Sequence, residues 1–227
     1  QTCALPISVL GSEAGSLGRL SGHQNSYYME STNRPELERL NAACADKTYG
    51  ARKIPSYEAY LAELERSRGP FLLLPHAHAG GGPGRFDLPK RPAYQTNVEV
   101  VSVHGVFEAF FQQWLAHGHR VGVNGGGDNH MTSAGHGNPG HHYPNTNGLA
   151  GACATERTRA GVWDAIQQRR TYAVTGNQRI FLEVEANGIA MGGVVTDGNA
   201  ARSFRVRAAG TAPMLRIGPV KSNTCVQ

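Results

Sequence analysis

The 227 residues contain no apolar run approaching the about 18–20 needed to cross a bilayer as a helix, which excludes a helical membrane span. No heptad pattern and no repeat of fixed period runs along the chain, so coiled coils and solenoids are excluded too. Cysteine is scarce. Cys3, Cys44, Cys153 and Cys225 form no Cys-x-x-Cys pair and fall far short of a disulfide scaffold. The charged and apolar regions of a secretory signal peptide are not visible, and no compartment follows from that. Lysine is rare: of 22 Lys and Arg, 18 are Arg, scattered rather than striped. The formal charge of +5 admits a phosphate or nucleic-acid partner, but scattered Arg is the pattern of a solvated surface and argues against nucleic acid.

Hydrophobic residues make up 40% of the chain and charged residues 17%, too apolar for disorder and enough for one domain, or one domain with a small appendage. The first Met is Met29, and Ile7-Ser8-Val9-Leu10 reads as a strand already under way. The chain is therefore expected to be a fragment. A Gly/Ser loop should follow through Gly22, then a strand near 25–29. Tyr57, Tyr60, Leu61 and Leu64 at i, i+3, i+4 and i+7 predict an amphipathic helix over 56–68, stopped by Gly69-Pro70. The runs 71–74 and 98–103 read as strands buried on both faces. A helix is expected over 105–117 with Val106, Phe107, Phe110 and Trp114 inward and Gly118 at its end. Strands at 120–123, 149–153 and 171–175 and a helix at 156–170 complete an alternation that implies parallel βαβ units. From Ile180 the period becomes two, and Asn187-Gly188 marks a hairpin into Ile189-Ala190-Met191. Further strands are expected at 203–208 and 214–217.

Two segments carry chemistry. The strand at 120–123 ends in Gly125-Gly126-Gly127 and presents Asp128-Asn129-His130. An Asp and a His two residues apart on extended chain can offer carboxylate and imidazole to one metal, and the glycines let backbone crowd close to a ligand. The same residues also suit a plain glycine turn, with Asp128 capping it and His130 at the surface. The second segment tips the balance: Phe71-Leu72-Leu73-Leu74 delivers Pro75-His76-Ala77-His78 into a loop softened by Gly80-Gly81-Gly82. Two buried strands that each end in histidine and glycine suggest a metal centre. The loop 124–148 carries seven Gly and four His, a length that suits a functional segment or a disordered one. His136, His141 and His142 lie there, on a solvated loop or a substrate lid. His117 and His119 fit a helix carboxyl end, and His104 follows a strand and is placed to approach the site. Arg169 and Arg170 suit either a helix end or a phosphate contact.

The chain resembles a known family. Glu13 in Leu10-Gly11-Ser12-Glu13, His23 in Gly22-His23-Gln24-Asn25, the Pro75-His76 strand end, Val98-Glu99-Val100 and Gly127-Asp128-Asn129-His130 occur in the order of the PHP (polymerase and histidinol phosphatase) superfamily. Gly148-Leu149-Ala150-Gly151, Glu156-Arg157-Thr158-Arg159 and the run from Arg169 to Gly176 resemble its DUF3604 branch, and the likeness spans about 9–192. This resemblance implies a partial, distorted (β/α)7 TIM-like barrel over 1–177 that lacks its N-terminal strands; with the period-two tail, read as a small, truncated antiparallel β region over 178–227, the chain is expected to be α/β. The resemblance also implies two or three divalent ions (Zn, Mn or Fe) and hydrolysis of a small-molecule phosphate ester. Glu13 would bridge two metals, and His23, His76, Asp128 and His130 would be direct ligands, the last two closest to the chemistry. Glu99, His78, His104 and Arg170 would support ligands or contact substrate. Family members carry a His-x-His strand end and further ligands upstream of the Glu13 segment. Nothing before Glu13 matches them, so the chain alone is expected to be a poor catalyst.

No nucleophile elbow, HExxH or Walker loop competes, so hydroxide on the metal is the expected nucleophile. The alternative is a non-catalytic barrel remnant whose β-rich tail binds a ligand or partner.

Overall fold

A computed structural model describes residues 10–14, 24–29, 61–62, 64–66, 70–77, 90–91, 93–127, 148–176, 179–196, 198, 201–218, 220–221 and 224–225. The strands β1 (Leu10–Ala14), β2 (Gln24–Tyr28) and β3 (Phe71–Pro75) form an antiparallel sheet. Next come β4 (Asn97–Ser102), β5 (Gly105–Val106), α1 (Glu108–Ala116) and β6 (Gly122–Gly125). Strand β6 pairs parallel with β4, and β5 pairs antiparallel with it. A parallel bridge between His76 and Glu99 joins the end of β3 to β4, and Ala77 N–H donates to Glu99 O at 2.8 Å. Strands β7 (Gly148–Ala152) and β8 (Thr171–Thr175) flank α2 (Arg159–Gln167). The tail holds β9 (Phe181–Ala186), β10 (Ile189–Ala190) and β11 (Phe204–Ala209) in the order β10-β9-β11, then a hairpin of β12 (Val220–Lys221) and β13 (Thr224–Cys225).

This architecture corrects the expected TIM-like barrel. The described residues form small antiparallel and mixed sheets with two complete helices and no closed barrel. Connections, not strand composition, set the directions. Nine residues separate β1 from β2, fewer than the dozen or so a parallel crossover needs, so the chain turns straight back. Between β7 and β8 there is chain enough, but it goes out and returns. Residues 153–158 can extend up to about 20 Å. The nine residues of α2 then bring the chain back by about 13.5 Å, so Thr171 lies opposite Ala152 and the strands run antiparallel. Among the described residues, only β4–α1–β6 is the expected βαβ unit.

Two apolar clusters hold the described elements together. Ala77, Val98, Val100, Val101 and Trp114 form the first, with Phe107, Phe110 and Phe111 of the α1 segment packed on it. Leu72, Leu74 and Trp163 form the second, with Ile166 and Tyr27 against it. Strands β3 and β4 are thus covered on both faces, as their unbroken apolar runs predict. A buried polar network ties β4 to α2 and β8. Asn97 Nδ2 donates to Ile166 O at 2.6 Å, and Thr171 Oγ1 lies 2.7 Å from Asn97 Oδ1 and 2.8 Å from Val123 O.

Local expectations fare unevenly. Residues 61–62 and 64–65 are helical with Leu61 and Leu64 buried, whereas Tyr57 and Tyr60 lie outside the described residues. The helix foreseen from Gly105 starts only at Glu108, because β5 pairs with β4 first and leaves Val106 53% exposed. The Gly/Ser stretch after Leu10 contains a strand through Ala14. Asn187 and Gly188, at φ 51° and 77°, make the expected turn between β9 and β10. Residues 214–217 are not a strand; Met214, Leu215 and Ile217 are exposed without a ladder partner.

Candidate functional site

Strands β3, β4 and β6 bring their carboxyl ends together. His76 follows Pro75 at the end of β3 and is 5% exposed; Glu99, in the middle of β4, is 8% exposed. The parallel bridge places them side by side, with His76 Nε2 3.9 Å from Glu99 Oε1. Asn25 of β2 completes the group. Its side-chain amide lies 3.0 Å from His76 Nε2, within hydrogen-bond distance.

Glycine makes room for the carboxylate. A Cβ on Gly126 would stand 2.1 Å from Glu99 Oε2 and 2.9 Å from its Cδ, far inside contact distance. Gly148, at the start of β7, is equally tight: its Cβ would meet Val101 O at 2.3 Å and Gly126 O at 2.5 Å. The glycines after β6 therefore let three backbone segments close around one buried imidazole–carboxylate pair.

An imidazole and a carboxylate, both buried and within 4 Å, are the donor types that Zn, Mn or Fe accept, so the residues present fit a divalent ion. They supply two donors. Among the described residues no group of three or more His, Cys, Asp and Glu is close enough to hold a metal. The other expected ligands fall elsewhere: His23, His78, Asp128 and His130 lie outside the described residues. Glu13 is described by its backbone, which pairs with Asn25 between β1 and β2.

His104 sits exposed in the turn between β4 and β5, its main-chain N–H donating to Ser102 Oγ at 3.1 Å. Arg170 ties α2 to β7: Nη2 pairs with Asp164 and Nε donates to Cys153 O at 3.2 Å. Glu99, expected to support ligands or contact substrate, lies beside His76. Asn25 was visible in the Gly22-His23-Gln24-Asn25 motif but carried no assigned role. Its signal is its register one strand away from His76, which only pairing reveals.

One family model matches the chain, "Protein of unknown function (DUF3604)", over residues 122–186. That span runs from β6 through β7, α2 and β8 to the end of β9, and takes in Gly126 and Arg170. No curated protein and no solved structure matches the chain.

Proposed function

We propose that the chain is a metal-dependent hydrolase of the PHP type, acting on a phosphate ester, with His76 and Glu99 at its metal site. One observation carries the reading: the buried His76–Glu99 pair at the converging ends of β3, β4 and β6. Under it, Glu13, His23, Asp128 and His130 complete the ligand set, and Asp128 follows Gly126 by two residues in the chain. A bound divalent ion supplies water acidic enough to ionise near neutral pH and charge to neutralise phosphoryl oxygens. His76 contributes an imidazole nitrogen held in orientation by Asn25, and Glu99 a carboxylate that Gly126 leaves unobstructed. Burial of both keeps water from competing for the pair.

The test is calorimetric titration of the chain with Mn²⁺ or Zn²⁺, beside His76→Ala and Glu99→Gln, followed by turnover of a generic phosphate ester. Binding weakened tenfold or more in both variants supports the reading, and the turnover, expected to be slow in this chain, should need the ion. Equal binding in all three proteins removes His76 and Glu99 from it. A second reading, a ligand- or partner-binding β module, is favoured by the apolar face of β11, where Phe204 and Val206 are exposed. Absence of any ion binding in the intact chain would leave that reading standing.

A further inference from the structure

A pocket of about 360 Å³ opens at the other end of β6, between the carboxyl ends of α1 and α2 and the turn after β10. Both helices finish in the same way. In α1, Gly118 N–H donates to Leu115 O and His119 N–H to Trp114 O; in α2, Arg169 N–H donates to Ile166 O and Arg170 N–H to Ala165 O. These are Schellman closures, whose left-handed residue is usually glycine. Gly118 fills that place in α1 at φ 76°, but Arg169 fills it in α2 at φ 60°. A side chain there costs about 1–2 kcal/mol of backbone strain that glycine avoids.

What the position gains is a guanidinium on the pocket wall. Neighbouring glycine accommodates it, since a Cβ on Gly122 would lie 3.0 Å from the Arg169 Cβ. Nη2 of Arg169 donates to Gly192 O at 3.0 Å, which anchors a group that has five N–H donors. Arg120 lines the same pocket, and the Lys90 ammonium lies 3.0 Å from where a Gly118 Cβ would be.

Among the described residues, no Asp or Glu lines the pocket. Arg91, Arg170, Arg205 and Arg207 each face a carboxylate, whereas Lys90, Arg120 and Arg169 have none among the described residues. The two helix carboxyl ends carry about half a negative charge each, so three cations leave an excess of about two positive charges.

We propose that this pocket binds a small oxyanion, phosphate or carboxylate, through Arg120 and Arg169, at a site separate from the His76–Glu99 pair. Gly126 follows Gly122 by four residue steps, about 13 Å of extended chain. The volume lies at the lower end of the roughly 300–1,000 Å³ of small-molecule sites, room for an organic phosphate or a polycarboxylate.

The experiment melts the 227-residue chain at fixed ionic strength in chloride, inorganic phosphate or citrate. Millimolar phosphate or citrate should raise the melting temperature beyond chloride, by mass action on the folded state. Response to phosphate alone assigns the phosphate class, to citrate alone the carboxylate class, and to both a general oxyanion site. In Arg169→Gly the ligand-free chain should melt no lower than the wild type, since glycine suits the position, while apparent affinity falls at least tenfold. Arg120→Gln should lose affinity to a similar extent. Wild-type responses retained in both variants, or no response beyond chloride in the wild type, would overturn the proposal.

Discussion

Two glycines, one just after β6 and one in the tail hairpin, separate two meanings of the same residue. Gly126 is needed for space: an added methyl would fall on the Glu99 carboxylate, which is buried and has little freedom to move aside. Gly126→Ala is expected to destabilise by about 1–3 kcal/mol and to weaken Mn²⁺ binding, read by chemical denaturation and titration calorimetry. Gly188 is needed for its φ of 77°, with nothing within 4 Å of an added Cβ. Gly188→Ala should cost about 1–2 kcal/mol and leave ion binding unchanged. Cys153 is a residue of another kind. Burial pushes its thiol up from the ordinary value, Glu183 adds to the shift, and Arg170 opposes it. The folded state thus holds this proton more tightly than the unfolded chain. Its contribution is fully present below the unfolded value and is lost as pH rises through the folded one. Peptide mapping after iodoacetamide treatment should show Cys153 alkylated slowly at pH 8, faster at higher pH, and faster at pH 8 in Glu183→Gln.

Helix α2 is held at both ends and by its middle. Thr158 caps its start, Oγ1 accepting from Gly161 N–H at 3.0 Å, and Gly161 is required because a Cβ would strike Glu156 O at 2.4 Å. Trp163 and Ile166 then cover Leu72 and Leu74 of β3. Trp163→Ala should therefore cost about 3–5 kcal/mol, measured by denaturant unfolding. Because Leu74 lies one residue before Pro75-His76, the substitution should also loosen ion binding, whereas a helix that merely decorated the surface would leave it unchanged. The cap explains why the helix begins at Arg159 although helical character was expected from Glu156. Thr158, at ψ 164°, is extended, and the residues before it are spent on the outward path from β7.

At the scale of the whole molecule, what could be read from sequence was local, and what could not was directional. Unbroken apolar runs foretell the burial of β3 and β4, and Asn187-Gly188 foretells its hairpin, because burial and turn geometry are written in neighbouring residues. Strand direction is not. Leu72-Leu73-Leu74 would look the same in a parallel barrel as in the antiparallel meander that β3 joins, and the decision rests with connection length and path. The site divides similarly. His76 was legible from its glycine-flanked strand end, but its contact with Glu99 and Asn25 depends on register across three strands. Arg169 was legible as a helix-end cation or a phosphate contact, but its left-handed backbone is a property of the fold. The out-and-back course of 153–170 has a bearing on how this architecture can diversify. Its two ends are joined, Cys153 N–H donating to Arg170 O at 2.8 Å, so β7 and β8 are stitched together at the mouth of the excursion. Added length at the exposed residues 155–158 would enlarge the excursion without altering which strand neighbours which. Evolution has a free margin there, bounded on one side by Trp163: the excursion can lengthen, but losing the helix would unroof β3.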